Sequence, residues 1–76
     1  MIEYSEFKQI LNLLRSPDTE VCELGRQLLS ELPNVKIYGT KNHTEIDITG
    51  TYNIYYSWIP ETEWSIKQMY REIFLC

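Results

Sequence analysis

The residues best suited to chemistry in this chain are two carboxylates, Glu45 and Asp47, which stand two positions apart. They alternate with apolar residues, which predicts that both side chains lie on the polar face of one β-strand. Two carboxylates placed in this way could bind a cation or share a proton. A cation site needs further oxygen ligands, however, and the pattern provides none. The pair therefore indicates a solvated sheet face, and we predict no metal site.

Histidine and cysteine offer little more. His43 is the only histidine, so any histidine-based acid–base chemistry would have to use it. A nucleophile pair with Cys22 would require the fold to bring a helix face to a turn, and nothing in the spacing supports that arrangement. The three glycines are isolated, so the sequence contains no phosphate-binding glycine loop. We predict a non-enzymatic protein without a cofactor.

Aromatic residues in the C-terminal half suggest a binding surface instead. Most of them are expected to fill a core between sheet and helix, namely Tyr52, Tyr56, Trp58, Trp64 and Tyr70. Tyr55 falls on the polar face with Asn53, and Tyr38 can join it across the strands. Exposed tyrosines beside small polar residues are typical of protein interfaces. We therefore predict a protein-binding site composed of Tyr38, Glu45, Asp47, Asn53 and Tyr55.

The sheet that positions this site is predicted by strict alternation from Ile46 to Trp58, where every even residue is apolar or Gly. Val35 begins an earlier strand, and a four-residue turn at Gly39-Thr40-Lys41-Asn42 would pair it with Ile46. The apolar residues of both strands then share one face.

Gly50 leaves two arrangements open for the rest of the sheet. A three-residue turn, Thr49-Gly50-Thr51, would pair Ile48 with Tyr52 and keep the even residues on one face. The alternative is one long strand that is kinked at Gly50, whose outer half would need a partner strand.

Helices are predicted on both sides of the sheet. Apolar residues at helical spacing indicate a first helix over residues 5–15, with Ser5 as its N-cap. Ser16 as N-cap and Pro17 at the first helical position indicate the start of a second helix, which ends near residue 32. Gly25 in that helix suggests close approach to the first helix. A third helix follows within residues 60–75, and either Thr62 or the step before Pro60 begins it.

The residues from Leu13 to Leu29 resemble a HEAT-type helical hairpin, with the sequence LLRSPDTEVCELGRQLL. Repeats of that type often carry a Leu pair, then Ser-x-Asp-x-x-Val, then a small residue and a second Leu pair. A similar string occurs in small proteins of Bacteroidetes and of tailed phages. The resemblance implies a helical hairpin with a protein-contacting role and no catalytic residues. The hairpin occurs once here, whereas repeat arrays need about three copies.

Composition narrows the classes of partner. The chain has 76 residues, of which 43% are hydrophobic, which suits one domain with one core. Its formal net charge is −4, and its seven basic residues are spread along the sequence. We therefore expect a protein partner with a basic surface and do not expect nucleic acid.

The chain also lacks segments that direct a protein to membranes. No segment approaches the ~18 unbroken apolar residues of a membrane span, and the N-terminus does not resemble a signal peptide. These features predict a cytoplasmic protein. In that reducing compartment Cys22 and Cys76 are expected to be free thiols, with a disulfide between them as the alternative.

Together these patterns predict one α+β domain in the order α-α-β-β-β-α, spanning residues 1–76. A helical hairpin (5–32), an antiparallel three-stranded meander (34–58) and a C-terminal helix (60–75) would place helices on one face of the sheet. The function we expect is that of a small acidic interaction module, such as a phage-type inhibitor that occludes a host protein. The alternatives are a homo-oligomeric assembly protein and an oligomer that sequesters a ligand.

Overall fold

Three helices and a small antiparallel sheet make up the fold, in a computed structural model that describes residues 2–50 and 52–74. The sheet has the strand order β1-β2-β3, and both neighbouring pairs are antiparallel. The elements are α1 (Tyr4–Leu14), α2 (Thr19–Ser30), β1 (Val35–Thr40), β2 (His43–Ile48), β3 (Ile54–Tyr56) and α3 (Glu63–Phe74). The predicted order and the α+β class are confirmed.

Both helices of the N-terminal hairpin begin at other residues than predicted. Glu3 is the N-cap of α1, so Ser5 lies inside the helix. Asp18 is the N-cap of α2, and its Oδ1 accepts backbone N–H bonds of 2.9 and 3.2 Å from the two residues that follow Thr19. The predicted cap, Ser16, instead accepts a 3.1 Å bond from the backbone N–H of Asp18. A carboxylate suits this position because its negative charge faces the positive end of the helix dipole.

α3 begins with a reciprocal cap, which identifies Thr62 as its N-cap. The Oγ1 of Thr62 accepts a 3.1 Å bond from the backbone N–H of Ser65, and the Oγ of Ser65 accepts one of 3.1 Å from the backbone N–H of Thr62. Two backbone donors that no helical carbonyl can reach are thereby satisfied. The helix consequently starts at Glu63, three residues after Pro60.

The β1–β2 hairpin has a two-residue turn, so the predicted four-residue turn is wrong. β1 continues to Thr40, and Val35 pairs with Ile48 rather than with Ile46. Gly39 stays within the strand because its positive φ of 86° is a conformation that glycine adopts without strain. The register is shifted by two residues, which leaves every side chain on its predicted face.

The β2–β3 connection is longer than the predicted three-residue turn, which is also wrong. Ile48 pairs with Ile54 rather than with Tyr52, so the strands are separated by residues 49–53. Gly50 therefore lies in a connection between two strands and does not kink a single one. Thr51 lies outside the described residues. The shift is again two residues, and the even-numbered strand residues keep a common face.

One apolar core receives side chains from all six elements. It consists of Phe7, Leu11, Leu14, Leu29, Val35, Ile46, Ile48, Tyr56, Ile66, Met69 and Ile73. None of the helices within the described residues is long and apolar enough to cross a membrane.

A polar contact outside the core joins α3 to α1. Glu63 accepts hydrogen bonds from Lys8 Nζ at 2.9 Å and from the Tyr4 hydroxyl at 3.0 Å. The bond from Lys8, reinforced by that from Tyr4, lowers the pKa of the Glu63 carboxyl below its ordinary value. A carboxyl whose pKa is lower in the folded state stabilises the fold above its unfolded-state pKa. That contribution is lost as the pH falls through the lowered value.

We expect Glu63→Gln to decrease the Tm slightly at neutral pH and to leave it unchanged in strong acid, where Glu63 of the parent is itself protonated. The effect is small because exposed ion pairs contribute little. Thermal unfolding followed by circular dichroism across a pH series measures it. Glu61→Gln is the control, since no ion pair of Glu61 is found among the described residues. A decrease in Tm that persists unchanged in acid would contradict the prediction.

Candidate functional site

The face of the sheet that points away from the core holds most of the predicted binding residues. Tyr38 in β1 lies directly opposite Glu45 in β2. Asp47 in β2 lies between Lys36 of β1 and Tyr55 of β3, because both pair with it. Side chains that face each other across antiparallel strands are about 5 Å apart at Cβ. The register therefore brings two tyrosines and two carboxylates into one patch, which we call the sheet face.

A hydrogen bond crosses the sheet face diagonally. The Tyr55 hydroxyl donates to Glu45 Oε1. This bond is the main reason that the pKa of Tyr55 is raised; partial burial and the charges of Glu45 and Asp47 add to it. The phenol therefore remains protonated and holds the carboxylate in place. The Nε2 atom of His43 lies 3.8 Å from the other oxygen of Glu45, at the edge of the patch.

The fifth predicted residue, Asn53, lies just before β3 rather than in a strand. It lines a small depression of about 120 Å³ together with Asp47 and Tyr55. The two tyrosines are well exposed, 47% for Tyr38 and 54% for Tyr55. The structure thus brings together the five residues that the sequence analysis grouped, with Asn53 at the margin.

The other candidate residues do not belong to the sheet face, although His43 lies at its edge. Cys22 is fully buried, and its Sγ is 3.5 Å from the Leu14 carbonyl oxygen of α1. His43 begins β2 and is exposed. Cys76 lies outside the described residues, so the prediction that both thiols are free stays a prediction.

A second exposed surface contains aromatic residues that the sequence predicts in the core. Three aromatic residues that were expected in the core are exposed: Tyr52 by 79%, Trp58 by 57% and Trp64 by 74%. Tyr56 and Tyr70 do pack inward as predicted. β3 ends at Tyr56, so the alternation beyond it no longer describes a strand. Trp64 lies off the buried stripe of α3, which is formed by Ile66, Met69 and Ile73.

Both tryptophans line an open groove of about 580 Å³, which we call the aromatic groove. It is lined by Arg15, Lys41, Asn42, His43, Thr44, Ser57, Trp58, Ile59, Glu61, Thr62, Trp64 and Ser65. These residues come from the C-cap of α1, the β1–β2 turn, the start of β2, the segment after β3 and the start of α3. Trp64 shares one helical face with the polar residues Lys67, Gln68 and Arg71, and this spacing is the signal that could have predicted its exposure.

A third depression, of about 420 Å³, lies between α1 and α2 and is mainly apolar. Ile10, Leu13, Leu28 and Leu32 line it, with Glu6 and Glu31 at its margin. The amphipathic helices thus bury one face in the core and leave part of a second apolar face open.

Comparison with known proteins gives no match: no protein family, no curated protein and no solved structure is significantly similar to the chain. Its function must therefore be inferred from the chemistry of these surfaces.

Proposed function

We propose that the chain is a non-enzymatic protein-binding module whose sheet face contacts a basic surface of its partner. The observation that carries the proposal is the arrangement of two exposed tyrosines, Tyr38 and Tyr55, around the carboxylates of Glu45 and Asp47. Tyrosine is among the residues that contribute most to protein interfaces, because a large apolar ring carries a polar hydroxyl.

Rigid placement supports this function. Tyr38, Glu45, Asp47 and Tyr55 all belong to paired strands, and Tyr55 is also held by its bond to Glu45. Side chains that are ordered before binding lose less conformational entropy when the complex forms. Such a face suits a partner of fixed shape.

Charge supports a basic partner. The net charge of the chain is −4, and the centre of the sheet face carries two carboxylates against Lys36. Complementary charge mainly increases the association rate and disfavours acidic partners. The mode of action we propose is occlusion, in which the module covers a basic surface that its partner needs, as a phage-type inhibitor of a host protein would.

The proposal predicts that Tyr55→Ala weakens partner binding about tenfold or more, which is the range of a central interface residue. Glu45→Lys should lower the association rate and its dependence on salt. Affinity capture with the tagged chain would identify proteins that bind the parent and not these variants. The affinity of each purified candidate would then be measured directly.

Glu31→Lys is the matched control, because it makes the same charge change on an exposed residue at the end of α2. A protein that binds the parent and Glu31→Lys equally, and the two face variants weakly, supports the proposal. Equal binding by all four chains would contradict it. Recovery of the chain itself as the only face-dependent partner would overturn it in favour of self-assembly.

A further inference from the structure

The aromatic groove combines exposed indole rings with cations and small polar groups. Trp58 and Trp64 are the chain's two tryptophans, and more than half of each side chain is exposed. Trp58 is held by a tilted contact with Tyr56, with ring centroids 5.2 Å apart. A contiguous patch of exposed apolar surface often marks a binding site. The rings offer flat apolar faces on which another ring can stack.

Two cations, Arg15 and Lys41, line the groove together with one carboxylate, that of Glu61. Arg15 donates to the carbonyl oxygen of Pro60 at 2.6 Å and to Asn12, and Lys41 donates to the carbonyl of Pro17. These acceptors are neutral. Neither cation belongs to an ion pair within residues 2–50 and 52–74. Both side chains are therefore positioned by bonds that leave their charge available to an anion.

From this combination we infer that the aromatic groove binds a nucleotide, with its base against a tryptophan ring and its phosphate beside Lys41 and Arg15. The remaining lining groups suit the sugar. Asn42 and Ser57 can donate or accept hydrogen bonds, and the Glu61 carboxylate can accept them from ribose hydroxyls.

The size of the groove favours a nucleotide over a smaller anion. A volume of about 580 Å³ lies in the range of ligand pockets and exceeds what a phosphate alone would fill. An apolar ligand would leave the two cations unused. An anion without a ring would leave the tryptophans exposed. The groove contains none of the five predicted protein-binding residues, so this inference is independent of the protein-binding proposal.

The two indole N–H signals in an NMR spectrum report on the groove directly, because they arise only from Trp58 and Trp64. We expect AMP to shift both signals saturably, with a Kd below about 1 mM. Adenosine, which lacks the phosphate, and inorganic phosphate, which lacks the ring, should each bind at least about fivefold more weakly. Binding of AMP should also weaken as salt is added, because it depends on charge.

Matched variants test the roles of the ring and the charge. Trp64→Ala should weaken AMP binding about tenfold, since stacking of one base contributes roughly 1–3 kcal/mol. Lys41→Ala should weaken it at least about fivefold. The controls are Tyr52→Ala, which removes an equally exposed ring, and Lys67→Ala, which removes a charge; both lie outside the groove.

All substituted side chains are exposed, so these variants should fold, which the dispersion of their amide signals would verify. Failure of AMP to shift the indole signals saturably would overturn the inference. So would binding of adenosine as tight as that of AMP, or an equal loss in the control variants.

Discussion

Gly39→Ala is expected to destabilise the fold by about 3 kcal/mol, a large share of the roughly 4–11 kcal/mol typical of a domain this size. Gly39 has a φ of 86°, which costs an L-residue with a side chain about 1–2 kcal/mol. A Cβ at this position would also lie 2.0 Å from the carbonyl oxygen of His43 on the paired strand. Steric overlap of this kind costs about 1–3 kcal/mol more.

The hairpin cannot easily move to relieve that overlap, because α2 holds it. Arg26 donates to the carbonyl oxygen of Gly39 at 2.9 Å and to the Thr44 hydroxyl at 3.1 Å. The Thr44 hydroxyl in turn donates to the Thr40 carbonyl oxygen at 3.1 Å. A strand that shifted to admit a methyl group would break this network and leave the buried Thr44 hydroxyl without its partners.

Urea unfolding followed by circular dichroism would measure the decrease in the free energy of unfolding. In thermal unfolding we expect the Tm to fall by about 10 °C or more. Gly50→Ala is the matched control. A Cβ there would meet only the Tyr52 carbonyl oxygen, at an ordinary 3.8 Å, and Gly50 does not have a positive φ. Its stability should change little. A Gly39→Ala variant as stable as the Gly50→Ala variant would show that the hairpin does not need the left-handed conformation.

Gly39 also explains why the faces of the sheet were predictable from the sequence while its register was not. Alternation at period two assigns each side chain to a face, and a slip of two residues preserves that assignment. Val35 therefore reached the predicted face although its partner is Ile48 and not Ile46. Choosing between those partners required the length of the turn. Glycine is common in turns, which favours placing Gly39 in the turn, whereas in the structure it belongs to β1.

The two surfaces differ in how far they could be predicted for a related reason. The sheet face is made from neighbouring strands, so alternation alone groups Tyr38, Glu45, Asp47 and Tyr55. The aromatic groove depends on where β3 ends and on how α1, the hairpin turn and α3 meet. That meeting is a tertiary property, set by core packing between residues far apart in sequence. Local patterns consequently predict that Trp58 and Trp64 lie in the core, and that prediction is wrong.

Gly25→Ala is expected to destabilise the fold by about 1–2 kcal/mol, even though alanine is the better helix former by about 1 kcal/mol. A Cβ at Gly25 would lie 2.8 Å from the Cβ of Leu13 and 2.9 Å from the backbone nitrogen of Leu14. Neither atom is the end of a flexible side chain, so α1 and α2 would have to separate. The predicted close approach of the two helices at Gly25 is thus confirmed, and their separation would loosen core contacts made by Leu11 and Leu14.

The sign of the Gly25→Ala effect distinguishes packing from helix propensity. Gln27→Ala is the control, since it lies on the exposed side of the same helix and should change the free energy of unfolding by less than about 0.5 kcal/mol. Because Arg15 follows Leu14 and bonds to the Pro60 carbonyl oxygen, moving α1 should also shift the indole N–H signals of the aromatic groove. A stabilised Gly25→Ala variant with unshifted indole signals would show that propensity outweighs packing here and that α1 does not position the groove.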